Sequence, residues 1–166
     1  IAVAAALVLS GCASDNGTGN NNGGTTGSTG IVNVAWGEPE NPLIPANTNE
    51  VNGGQILNNM FAGLVYYKAD GSWDYDAAES IESDDYINWT IKLKADQKFS
   101  DGTPVTADSF VKAWQWAASD PDLLNQWWFI DAIAFEGGTY DGGENTLALD
   151  VVDDTTFTVK LAAPRA

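Results

Sequence analysis

Seven carboxylates crowd one stretch of this chain: Asp70, Asp74, Asp76, Glu79, Glu82, Asp84 and Asp85, with no basic residue between them. Such a run suggests two chemistries. A calcium loop built on Asp70, Asp74 and Asp76 fails on spacing, because the internal glycine is misplaced and the closing bidentate Glu is absent. A glycosidase needs two carboxyl groups facing one another across a bond. Asp84 and Asp85 are adjacent, and neighbours in an extended segment point to opposite faces. The run therefore reads as a solvated acidic face. The chain has no histidine, which removes the usual general base and the commonest zinc ligand. It also has no Gly-x-Ser-x-Gly elbow to support acyl transfer. The sequence assigns no catalytic residue, no metal ligand and no cofactor.

Cys12 is the single cysteine, and its setting decides its chemistry. Ile1 to Leu9 is an apolar run too short to span a bilayer as a mature helix. It reads as the tail of a signal-peptide core whose basic start is missing. Leu9-Ser10-Gly11-Cys12 then resembles a bacterial lipobox, in which the thiol is lipidated. Two acyl chains, at about 0.8 kcal/mol per buried CH₂, anchor stably where one would not. Residues 1–12 are thus expected to be a signal-peptide remnant ending in a lipidation site. Residues 13–30, almost wholly Gly, Asn, Ser and Thr, bury too little apolar area to offset their ordering entropy and are expected to be a disordered tether. As a flexible coil this tether spans about 23 Å. Residues 31–166 are expected to form the folded part. With no initiator Met and no terminal element in Ala162–Ala166, both ends read as cut. Lys and Arg number 7 against 23 Asp and Glu, a net charge of −16. A surface this acidic repels phosphate backbones and argues against a nucleic-acid partner.

The elements follow from periodicity. Ile31 to Trp36 is β-rich and is expected to be the first strand, followed by a loop that Pro39, Pro42 and Pro45 hold extended. Glu50 to Val65 carries apolar residues at helical spacing, a core-facing helix with Met60 as filler, although Gly53 and Gly54 weaken its start. Tyr66-Tyr67 leads as a strand into an Asp70-Gly71 turn. From Tyr86 to Lys94, Ile87, Trp89, Ile91 and Leu93 alternate with polar residues, a half-exposed strand. Asp101-Gly102-Thr103-Pro104 reverses the chain. Thr106 then caps a helix whose Phe110, Val111, Trp114, Ala117 and Ala118 share one face, with Asp108 in the favoured first turn. Trp127, Trp128 and Phe129 can stack sugars or peptide side chains, and their density favours a core role. Two strands, Leu147–Val151 and Phe157–Leu161, form a hairpin around Asp153-Asp154. The sequon Asn88-Trp89-Thr90 lies on a strand and is discounted.

The run W-T-I-K-L followed by K-F-S-D-G-T-P-V-T-A-D-S-F resembles the signature segment of bacterial extracellular solute-binding proteins of the oligopeptide/dipeptide class. F-A-G-L-V-Y-Y and V-V-D-D-T-T-F-T-V-K-L-A-A-P resemble the same family. In the loop after the first strand, Pro39, Leu43 and Pro45 fit its P-x-x-L-D-P-like pattern, while Ile44 replaces the acidic residue and Pro42 looks inserted. The resemblance implies an α/β (mixed α+β) fold of the type II periplasmic-binding-protein kind, incomplete here: the first strand of the main lobe plus the small accessory lobe. It implies a substrate-binding lipoprotein of an ABC importer, not an enzyme, which captures oligopeptides or a related small solute outside the cell. The partners would be that ligand, the permease subunits and, through the lipid anchor, the outer face of a cell membrane. Glu38 and Asn41, beside the implied ligand cleft, are the candidate ligand neighbours. Most of the cleft would lie beyond Ala166, so this piece alone is expected to bind no peptide measurably. The alternative reading is a lipid-anchored polysaccharide hydrolase or carbohydrate-binding module, drawn from the carboxylates and seven tryptophans.

Overall fold

Strand pairing and helix packing follow the alternation of apolar side chains, as described by a computed structural model for residues 35–140, 142 and 146–165. The expected first strand, Ile31–Trp36, falls largely outside these residues, as do Cys12 and the tether. Helix α1 (Val51–Met60) comes first, followed by a hairpin of β1 (Val65–Tyr67) and β2 (Trp73–Tyr75). Strands β3 (Ala78–Glu82) and β4 (Asn88–Leu93), helices α2 (Ala107–Ser119) and α3 (Gln126–Ala132), and strands β5 (Leu149–Asp153) and β6 (Thr156–Lys160) complete the order. No described helix is long and apolar enough to cross a membrane.

The main sheet has the order β3-β4-β6-β5, antiparallel at every pairing. Because side chains alternate, Ile91, Leu93, Phe157, Val159 and Leu149 share one face, and all are buried. Helix α2 covers this face with Val111, Ala107 and Ala118. The Phe110 ring stacks on Phe157 at 5.9 Å, and Trp114 meets Phe157 edge-on at 5.7 Å. Phe157 is fully buried; removing a side chain of this size from water stabilises by about 1.5–3 kcal/mol.

Local chemistry sets the turns. Gly102 has φ +88°, a conformation that favours glycine. Its neighbour Asp101 accepts through Oδ1 from the Thr103 N–H at 2.9 Å and from the Thr103 hydroxyl at 2.7 Å. At the start of α2 the N-cap is Thr106, whose N–H donates to Ser109 Oγ at 3.1 Å. In the β5–β6 turn Asp153 Oδ1 accepts from the Thr155 N–H at 2.8 Å.

Two expectations need correction. The helix from Glu50 stops at Met60, and Met60, Phe61 and Val51 are exposed rather than core-facing, at 61%, 50% and 72%. Only Leu57 and Gly53 of α1 are buried, because no other element of the described fold lies against the rest of its apolar stripe. Gly53 does not merely weaken the helix. Its N–H donates to the Glu50 carboxylate at 2.9 Å, and a Cβ there would collide with Glu50 and Thr48, so the close approach requires glycine. The second correction concerns Trp127 and Trp128. They do not fill the core: they are 53% and 60% exposed and stack on each other at 4.4 Å. Successive residues on a helix point about 100° apart, so α3 turns only Phe129, with Ile130 and Ala132, toward the core.

Candidate functional site

The predicted ligand neighbours sit in the proline-rich loop that precedes α1. Glu38 is exposed, and its carbonyl accepts from Asn52 Nδ2 at 3.5 Å. Asn41 is half-buried and donates through Nδ2 to Asn49 Oδ1 at 3.4 Å. Both therefore belong to one loop folded over the start of α1. Thr48 ties the same loop together, donating its hydroxyl to the Pro42 carbonyl at 2.7 Å.

What holds this loop in place was not legible in the sequence. Asn125, between α2 and α3, donates its side-chain amide to the carbonyls of Pro45 and Thr48 at 3.0 and 2.9 Å. Its backbone N–H reaches the Ala46 carbonyl at 3.0 Å. In return, Asn47 Oδ1 accepts from the Leu124 N–H at 3.1 Å. Ala46 completes the seam by packing with Ala117 and Leu123. These contacts join residues about eighty positions apart in the chain. Loop asparagines of this kind look like solvated turn residues until their carbonyl partners are known.

A second feature lies at one end of the core. An apolar groove of about 420 Å³ opens between α3, Trp114 of α2 and the sheet, within the size range of small-ligand clefts. Its walls include Trp89, Trp114, Trp128, Ile81, Val159 and Leu161. Trp89 carries a buried indole N–H with no hydrogen-bond partner. An unmet buried donor of this kind costs about 1–3 kcal/mol.

The acidic stretch is structural where its geometry is defined. Asp85 accepts through Oδ1 from the N–H groups of Asn88 at 2.7 Å and Ile87 at 2.8 Å, while Oδ2 accepts from Asn88 Nδ2 at 2.7 Å. The Asn88 N–H, then the Ile87 N–H, hold its carboxyl well below the usual carboxylate range. Asp74 is lowered by its bond to Lys68, an ion pair of 2.8 Å, and Asp70 by its bonds from Ser72. Among the described residues no cluster of three or more Asp, Glu, His or Cys is arranged to hold a metal ion.

A four-stranded antiparallel sheet backed by one helix, reached from a loop and a short helix, is the mixed α/β arrangement found in type II periplasmic binding proteins. Residues 73–166 match the family described as "Bacterial extracellular solute-binding proteins, family 5 Middle", and the chain belongs to that family. Among its relatives, the oligopeptide-binding protein OppA of Bacillus subtilis is 33% identical over 165 residues, 95% of this chain and 30% of the relative. The periplasmic OppA of Salmonella typhimurium is 33% identical over 132 residues, 74% of this chain and 23% of the relative. The solved Escherichia coli murein tripeptide binding protein MppA superposes with a TM-score of 0.69 at 32% identity, covering 79% of this chain and 26% of that one. The chain thus spans less than a third of the length of these relatives.

Proposed function

We propose that this chain is the N-terminal part of a peptide-capturing component of an ABC importer, anchored outside the cell by lipid on Cys12. The observation that carries the reading is the similarity to oligopeptide-binding relatives along 95% of the chain. Residues 31–166 then contribute the first strand of the main lobe and the small accessory lobe. The rest of the relatives' length supplies the opposing lobe, and closure follows from tighter binding to the closed form. Backbone hydrogen bonding to the peptide, in the manner of an added strand, lets one receptor accept many side chains. Glu38 and Asn41 line the ligand cleft from the pinned loop, and residues 13–30 tether the receptor to the membrane.

The test is uptake of a labelled oligopeptide by cells lacking their own peptide receptor and supplied with the whole protein that carries this chain. Uptake above the empty-vector level supports the proposal. Retention in the membrane fraction that Cys12→Ala abolishes supports the anchor. No uptake, combined with release of reducing sugar from polysaccharide, would instead establish the hydrolase reading.

A further inference from the structure

We infer that Asn125 is a positioning residue for peptide binding: its side-chain amide sets how firmly the loop carrying Glu38 and Asn41 is held, and through that the affinity for peptide. The inference rests on the peptide-capturing reading above and adds a residue to it. Asn125 stands at the N-cap position of α3, where an asparagine ordinarily accepts through Oδ1 from the first turn of its helix. Its side chain makes no such bond. It turns instead to the loop before α1, where Nδ2 donates to the carbonyls of Pro45 and Thr48 at 3.0 and 2.9 Å. With its backbone N–H on the Ala46 carbonyl, one residue holds three of the four carbonyls from Pro45 to Thr48.

The chemistry is specific to an amide. Two carbonyls need two N–H groups on one atom, which Asn Nδ2 supplies; a carboxylate offers none and a hydroxyl one. Asn47, across the same seam, is the opposite case. It accepts through Oδ1 from the Leu124 N–H, a role that a carboxylate oxygen also fills. Little else fastens the loop. Pro42, Leu43, Ile44 and Pro45 are exposed, and none of the loop belongs to the main sheet–helix core. Ala46 alone joins a small apolar cluster, with Ala117 and Leu123. The contacts that place the candidate ligand neighbours start just past the held carbonyls, Asn41 on Asn49 and Glu38 on Asn52. Loss of the amide therefore frees the loop while the core stays folded, and ordering the loop becomes part of the binding step.

The test measures binding of a labelled oligopeptide to the whole protein that carries this chain, together with hydrogen exchange at the Asn47 and Thr48 amides, both bonded to the Ile44 carbonyl. Asn125→Asp should weaken binding about tenfold, the loss expected when the loop is seated about one tenth of the time. Exchange at both amides should quicken while β4 and β6 stay protected. Asn47→Asp keeps its acceptor and should lose much less affinity. Gln115→Leu breaks a buried clamp on Leu147, away from the loop, so it should lower Tm and leave binding as in the wild type. Should Asn125→Asp fail to fold, Asn125→Ala removes the donors without setting a charge against two carbonyls, and its affinity should fall in the same direction. Wild-type affinity in a folded Asn125 variant would overturn the inference. Equal losses in Asn125→Asp and Asn47→Asp, or a loss of affinity in Gln115→Leu that tracks its Tm, would overturn it equally, since a merely structural seam gives those results. A wild-type protein that binds no oligopeptide is a different failure: it overturns the peptide-capturing reading, and this inference with it.

Discussion

Replacing Gln115 by Leu should cost this fold about 2–3 kcal/mol, although Gln115 lies on a helix face where an apolar residue of similar size would fit. Gln115 is 6% exposed and clamps the backbone of Leu147, thirty-two residues away. Its Nε2 donates to the Leu147 carbonyl at 2.8 Å and its Oε1 accepts from the Leu147 N–H at 3.0 Å. A buried polar group left without a partner costs about 1–3 kcal/mol. The two backbone groups are not equally exposed to that loss. The Leu147 carbonyl also accepts from the Leu149 N–H at 2.9 Å, so it keeps a partner in the variant. Most of the cost therefore falls on the Leu147 N–H, with a smaller share for the weakened carbonyl and a small return from the added apolar surface. Urea unfolding followed by tryptophan emission and by circular dichroism would measure it, with the coincidence of the two curves checking two-state behaviour. Hydrogen exchange at the Leu147 amide locates the effect, and its protection should collapse in the variant ahead of that of β6. A loss below about 0.5 kcal/mol with the Leu147 amide still protected would refute the reasoning.

Other outcomes follow from the same structure. Phe157→Ala empties the centre of the sheet–helix interface and should cost about 3–5 kcal/mol in urea unfolding; a cost under about 1 kcal/mol would mean the α2 packing is wrong. Asp85, Asp101 and Asp153 all have native pKa values below their ordinary range because N–H and hydroxyl groups bond to their charged forms. Their contribution is present above the unfolded carboxylate pKa near about 4 and is lost as pH falls through the lower native values. Stability should therefore drop below about pH 4, and Asp85→Ala should flatten that acid limb; an unchanged slope would refute the role of Asp85. With a charge of −16, Tm should rise as NaCl goes from about 0.01 to about 1 M, over which the Debye length shrinks from about 30 to about 3 Å. A flat or falling Tm would show that self-repulsion is not significant.

Legibility of the sequence followed physical range. The β4 strand and the α2 face were readable because alternation and the 3.6-residue period are local, and Ile91, Leu93, Val111 and Ala118 are buried as the pattern requires. The β5–β6 hairpin and the Gly102 turn were readable for the same reason. The clamps were not: Gln115 on Leu147 and Asn125 on the loop before α1 act across 32 and about 80 residues, and nothing local marks a polar residue as buried. Aromatic density misled at Trp127 and Trp128, since α3 turns Phe129, Ile130 and Ala132 toward the core and leaves both indoles exposed. Periodicity likewise misled at Met60, which the helical spacing places in the core and the structure leaves 61% exposed. Glu38 and Asn41 lie together on one pinned loop, held by contacts from Asn49, Asn52 and Asn125 that no local pattern marks.

Calorimetric titration with oligopeptides, run side by side on this 166-residue chain and on the whole protein that carries it, is the most direct test of peptide capture between two lobes. The whole protein should bind one peptide per molecule, and the chain alone should give no heat of binding. Micromolar binding by the chain alone, or none by the whole protein, would contradict it.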